Sequence, residues 1–91
     1  MQVRWSPESA EDLSRIVACI RLDSLAAAQR VAKTIYAGAA ALRTFPHRGR
    51  IGRVEGTREL SLPPLPFVIV CRVLPEAVEI SNVIHGARRW P

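Results

Sequence analysis

The sequence predicts an α+β domain: a two-helix antiparallel hairpin packed on a small, mainly antiparallel β-sheet, in the order β-α-α-β-β-β. Three observations predict it. Two stretches of the first half carry apolar residues three and four positions apart, the spacing of one helix face. The connection between them is only about two residues, which folds such helices back on one another. Three runs of the second half read as strands with period two, and the last two are rich in β-branched residues. The 91 residues leave room for one domain spanning the whole chain.

Val3 to Trp5 reads as a short first strand. Ser6-Pro7 opens a helix: Ser6 caps free backbone N–H groups, and Pro7 suits the first helical position. Glu8, Glu11 and Asp12 lie in its early turns, where the helix dipole favours negative charge. Leu13, Ile16, Val17 and Ile20 give it one apolar face, and it should end near Arg21 or Leu22. Asp23 or Ser24 caps a second helix with a seam of Leu25, Ala28, Ala32, Ile35, Ala39 and Leu42, ending near Thr44 before Phe45-Pro46. Residues 46–56, punctuated by Gly49, Gly52 and Gly56, read as a basic loop. Strands follow at Thr57 to Leu62, Phe67 to Val73 and Val78 to Ile84, and residues 85–91 form a tail.

Parity sorts the strand side chains onto faces. A turn at 74–77 that pairs Val73 with Val78 also pairs Phe67 with Ile84. Phe67, Ile69, Cys71, Val73, Val78, Ile80, Ile84, Leu60 and Leu62 then pack on the helices, with Asn82 as the polar exception. The other face carries Glu59, Ser61, Val68, Val70, Arg72, Glu79, Ser81, Val83 and His85, and is open in a two-layer fold. In this register Arg72 faces Glu79, so a cross-strand ion pair is its simplest role. Arg58 falls on the core parity at the strand's start, with its head at the rim or its stem snorkelling.

Composition narrows the function classes. Apolar residues at 48% and charged residues at 23% describe a globular chain, not a disordered one. No apolar run is long enough to span a membrane, and the first residues lack the apolar core of a secretory signal, so the expected location is the cytoplasm. Net charge is +5, and twelve of the thirteen basic residues are Arg, with Lys33 the exception. Residues 43–91 hold eight basic and four acidic groups. That excess points to nucleic acid or an acidic protein partner. Arg48, Arg50, Arg53 and Arg58 in and beside the loop, Glu59 next to them, and Arg89 with Trp90 in the tail are the candidate partner- or nucleic-acid-binding residues. Arg and Trp are frequent interaction anchors, and both stack on bases. Glu59, Arg72 and His85 together offer a base, a phosphate clamp and an acid, if they converge. Cys19 and Cys71 read as buried, reduced thiols. No spacing of His and Cys suggests a metal site, and no nucleotide-cofactor motif is present, so no cofactor is expected.

Several words then carry a resemblance. Trp5-Ser6-Pro7-Glu8 precedes the first helix and Phe45-Pro46 follows the second. Gly49-Arg50-Ile51-Gly52-Arg53-Val54 and Gly56-Thr57-Arg58-Glu59-Leu60 come next. Phe67 to Val73 and Val83-Ile84-His85-Gly86-Ala87-Arg88-Arg89-Trp90-Pro91 complete the set. In this order and spacing the chain resembles the RelE/ParE superfamily of toxins from bacterial type II toxin–antitoxin systems, over nearly its whole length. The resemblance implies growth inhibition, a cognate antitoxin that neutralises the toxin, and operator DNA reached only through that antitoxin. It leaves the target open between DNA gyrase, as for ParE-like members, and ribosome-bound messenger RNA, as for RelE-like nucleases. The Arg that RelE-like nucleases carry on the corresponding strand is Val68 here, the one tyrosine is Tyr36 on the second helix, and the Ile-His-Gly-Ala-Arg ending is closer to ParE-like toxins. Gyrase poisoning is therefore the favoured expectation. Under the nuclease alternative the catalytic residues would be Arg72, His85 and Arg88. A toxin-derived binding module without toxicity is the third reading.

Overall fold

The computed structural model describes residues 1–91. Strand β1 (Gln2–Trp5) leads into α1 (Pro7–Arg21), α2 (Leu25–Ala41), β2 (Arg50–Ile51), β3 (Arg58–Ser61), β4 (Phe67–Val73) and β5 (Ala77–His85). The sheet runs β1-β5-β4-β3-β2, with β1 parallel to β5 and every other neighbour antiparallel. Both helices lie on one face, α1 against β5 and α2 against β4.

The caps act as their residue types require. The Ser6 hydroxyl accepts the Ser9 backbone N–H at 3.0 Å, and Ser24 accepts that of Ala27 at 3.1 Å. The seam of α2 is Ala28, Val31, Ile35, Ala39 and Leu42; Val31 takes the place expected for Ala32, and Leu25 is exposed. The α-helix closes at Ala41 rather than Thr44, because the last turn tightens: Arg43 N–H and Thr44 N–H reach the carbonyls three residues back. Gly38 lets α2 sit close on the sheet, since a Cβ there would come within 2.6 Å of the Leu62 side chain.

Two expectations about the second half change. The loop at 46–56 contains β2, which pairs Arg50 with Glu59 and Ile51 with Arg58. Gly56 turns this hairpin with φ of 81°, a conformation other residues rarely adopt. Second, the β4–β5 pair holds a bulge. Val73 faces Val78 and Arg72 faces Glu79 as expected, but Cys71 faces Ile80 while Val70 faces Asn82. Ser81 is the extra residue; the Asn82 amide still reaches α1, and from Val83 onward the side chains change face. Phe67 therefore meets His85, not Ile84. Val83 joins the helix-side core, and Ile84 moves to the other face with Val68 and Val70. The first turns of α1 hold the bulge. The Asp12 carboxylate accepts the Asn82 side-chain N–H at 3.0 Å and the Val83 backbone N–H at 3.1 Å, and the Ser6 hydroxyl donates to the Ser81 carbonyl at 3.0 Å.

The main core of twelve buried residues lies between helices and sheet, centred on Ile35, Leu42, Ile69 and Ile80. A smaller cluster of Val68, Val70 and Ile84 lies on the opposite face under Trp90. That face is covered at its centre rather than open. Cys71 is buried, and burial pushes its thiol pKa up, but Cys19 is exposed, contrary to the buried-thiol expectation, because it falls on the solvent side of α1.

Candidate functional site

Glu59 organises the sheet face away from the helices. It lies on β3 between β2 and β4, opposite Val70, and is 1% exposed. An isolated buried carboxylate would be costly. This one accepts four hydrogen bonds. Oε1 takes Arg50 at 3.2 Å and Arg53 at 3.1 Å, and Oε2 takes the Arg53 backbone N–H at 2.9 Å and Arg53 Nε at 3.1 Å. The Arg53 side-chain bonds lower its pKa most; burial opposes them, and the Arg53 backbone N–H and Arg50 add to the lowering. Its acceptor capacity is full, so it is an anchor for cations rather than a base waiting for a proton.

Arg53 also reaches outward. Its remaining guanidinium nitrogen donates to the Arg88 carbonyl at 3.3 Å. The loop thereby meets the tail, and Trp90 covers Val68, Val70 and Ile84. Arg50, Arg53, Glu59, Arg88 and Trp90 come together here. Arg72 is on the same face, nearer the β4–β5 turn. It does not form the expected pair with Glu79; its guanidinium instead turns to the Glu55 carbonyl at 3.5 Å, beside Gly56. Arg72, Arg88 and Arg89 make no ion pair, so the rim of this face keeps unneutralised positive charge.

The other candidates lie elsewhere. The bulge carries His85 to the helix side, where it meets the Phe67 ring edge-on with centroids 5.9 Å apart, and its Nδ1 accepts the Ala87 N–H at 3.1 Å. Arg72 and the strand position facing His85 are five residues apart along β4, roughly 17 Å. Glu59, Arg72 and His85 therefore do not converge. Arg58 shares the parity of Cys71 and donates to the carbonyls of Gly49 at 2.8 Å and His47 at 3.4 Å, which pins the loop. Arg48 borders hollows beside the end of α2. No group of three or more His, Cys, Asp or Glu side chains is placed to hold a metal ion.

A second surface is the apolar groove beside the helical hairpin, bordered by basic charge, that the sequence leads one to expect for an antitoxin; its residues were not named from the sequence. A groove of about 640 Å³ along the helices is lined by Leu13, Val17, Ala32 and Tyr36, with Arg21 at its border. Tyr36 also lines a neighbouring hollow with Val3, Trp5 and Arg43, and its ring lies 5.4 Å from that of Trp5. The available signal was a tyrosine set off the apolar seam of α2. Asp12 was legible only as a helix-dipole residue, because its partners are seventy positions away in the chain.

A helical hairpin on one face of a five-stranded mixed sheet, with a cationic tail crossing the other, defines a toxin of the RelE/ParE superfamily. The chain aligns over 93% of its length, and 95% of the other chain, with a solved structure titled "Chromosomal ParDE TA system from P. aeruginosa", at a TM-score of 0.83 and 25% identity. Residues 3–90 match the family model described as "ParE toxin of type II toxin-antitoxin system, parDE", and the chain belongs to that family. It is 38% identical over 90 residues to the putative toxin Y4kP of Sinorhizobium fredii, covering 99% of this chain and 93% of that one. It is also 37% identical over 87 residues to toxin RelE2 of Caulobacter vibrioides, covering 96% and 97%. The protein is thus the toxin of a type II toxin–antitoxin system, and the family implies a cognate antitoxin. No helix is long and apolar enough to cross a membrane.

Proposed function

We propose that this toxin arrests growth by binding DNA gyrase, and that the face carrying Arg50, Arg53, Arg72, Arg88, Arg89 and Trp90 makes the contact. The observation that carries this reading is the state of Glu59. The buried carboxylate of that face is filled by two arginines, and His85 points away on the opposite side of the sheet. An acid–base pair needs two groups within reach of one substrate. An arginine-rimmed aromatic surface needs only a partner of complementary shape and charge. The antitoxin then takes the groove beside Tyr36, bringing apolar anchors flanked by acidic residues to meet Arg21 and Arg43. Its binding should weaken as salt rises.

The test is induction in a bacterial host with newly made DNA and protein labelled separately. DNA synthesis should stop first, with a rise in the SOS response. Arrest of protein synthesis first, with codon-phased cuts in messenger RNA, would replace this reading with the ribosome-dependent nuclease. No arrest of either would leave a binding module without toxicity.

A further inference from the structure

The Arg53 guanidinium is a fork. Two of its nitrogens turn inward to Glu59, and the third turns outward to the Arg88 carbonyl at 3.3 Å. Apart from local bonds to His85, that outward contact is the one hydrogen bond tying residues 87–91 to the rest of the chain. Trp90 adds apolar cover on Val68, Val70 and Ile84, but its indole N–H is buried without an acceptor, so its seat supplies area and no polar register. Register must come from elsewhere. A buried carboxylate on a strand interior to the sheet is a fixed point, and bidentate Arg–carboxylate geometry transmits that fixity along a planar group.

We infer that Glu59 is a positioning residue: through Arg53 it holds the C-terminal tail in register on the sheet, so that Arg88, Arg89 and Trp90 are presented as one surface. Its effect on toxicity rests on the gyrase-binding reading above; the holding itself does not. A merely local role, closing the β2–β3 hairpin, would leave the tail unmoved when Arg53 is shortened.

The experiment uses the full-length toxin in a Trp5→Phe background, where Trp90 is the one tryptophan. Trypsin cleavage at Arg88 and Arg89 is followed by mass, and Trp90 exposure by acrylamide quenching. Glu59→Gln and Arg53→Ala should each speed tail cleavage about tenfold, since cleavage tracks the population of the lifted tail. Arg53→Lys should match Arg53→Ala, because an ammonium cannot bridge both sites. The double variant should cleave no faster than either single one, as expected of groups acting in series. Arg53→Ala leaves Arg50 on Glu59 and guards against a Glu59 variant that fails to fold. A tail as protected in Arg53→Ala as in the parent overturns the inference. In a supercoiling assay on the same samples, the parent should inhibit gyrase and the loosened variants should do so about tenfold less well. A parent that leaves supercoiling untouched overturns the target reading, while the cleavage data still decide the role of Glu59.

Discussion

The two faces of the sheet are built from opposite materials. The helix side buries a continuous cluster of twelve apolar residues and is closed by α1 and α2. The far side has an apolar cluster of three, and beside it lies a buried carboxylate clasped by two arginines. Apolar burial is non-directional and stabilises in proportion to area. Charge-assisted hydrogen bonds contribute less net stability and more geometry. The comparison teaches a division of labour: the first face holds the fold, and the second sets where a cationic tail lies.

That division can be broken from the core first. Ile35→Ala removes a fully buried side chain from the centre of the helix-side cluster and should cost about 3–4 kcal/mol, read as a lower urea midpoint. Asp12→Ala leaves the Val83 N–H and the Asn82 amide without their acceptor. It should cost about 2 kcal/mol in the same titration, and amide exchange should quicken first around Ser81. Trp90→Ala sharpens the contrast. It should cost about 1 kcal/mol or less, because the indole is only half-buried, yet it should reduce growth arrest strongly in the induction assay.

The last effect is confined to acid. Glu59 has its pKa lowered below the ordinary 4.5 on folding, so the unfolded chain binds the proton more readily. Its contribution is fully present above pH 4.5 and is lost as pH falls through the lower folded value. Denaturation between pH 6 and pH 3 should therefore show a steeper acid loss in the parent than in Glu59→Gln. Parallel curves would mean that the carboxylate contributes nothing to the far face (about pH 6 to 3 being the range over which such groups titrate).

How much of this was legible depended on range along the chain. Ser6-Pro7, the α1 seam and the Val73–Val78 turn are local signals, and each appears where its residues put it; the α2 seam does so at Ala28 and from Ile35 onward, while Leu25 is exposed and Val31 is buried in place of Ala32. The bulge was not legible. Ser81 and Asn82 look like any polar strand pair, and what stabilises the extra residue is Asp12, held by another element. From that one residue follow the misplaced faces of Val83, Ile84 and His85. The two-residue β2 was too short to show alternation. The arginines around it suggested a ligand site, and the acceptor that two of them found was Glu59, six and nine positions on.

β1 has β5 as its one neighbour, so the first strand is completed by the last. Such closure is among the most non-local a chain can make. In genetic terms, neither β1 nor the stretch through Trp90 is dispensable. A product stopped before Trp90 loses the cover on the far face, and one stopped before Ala77 also leaves β1 unpaired. Spontaneous survivors of toxin induction should therefore include nonsense and frameshift alleles distributed through the codons up to Trp90.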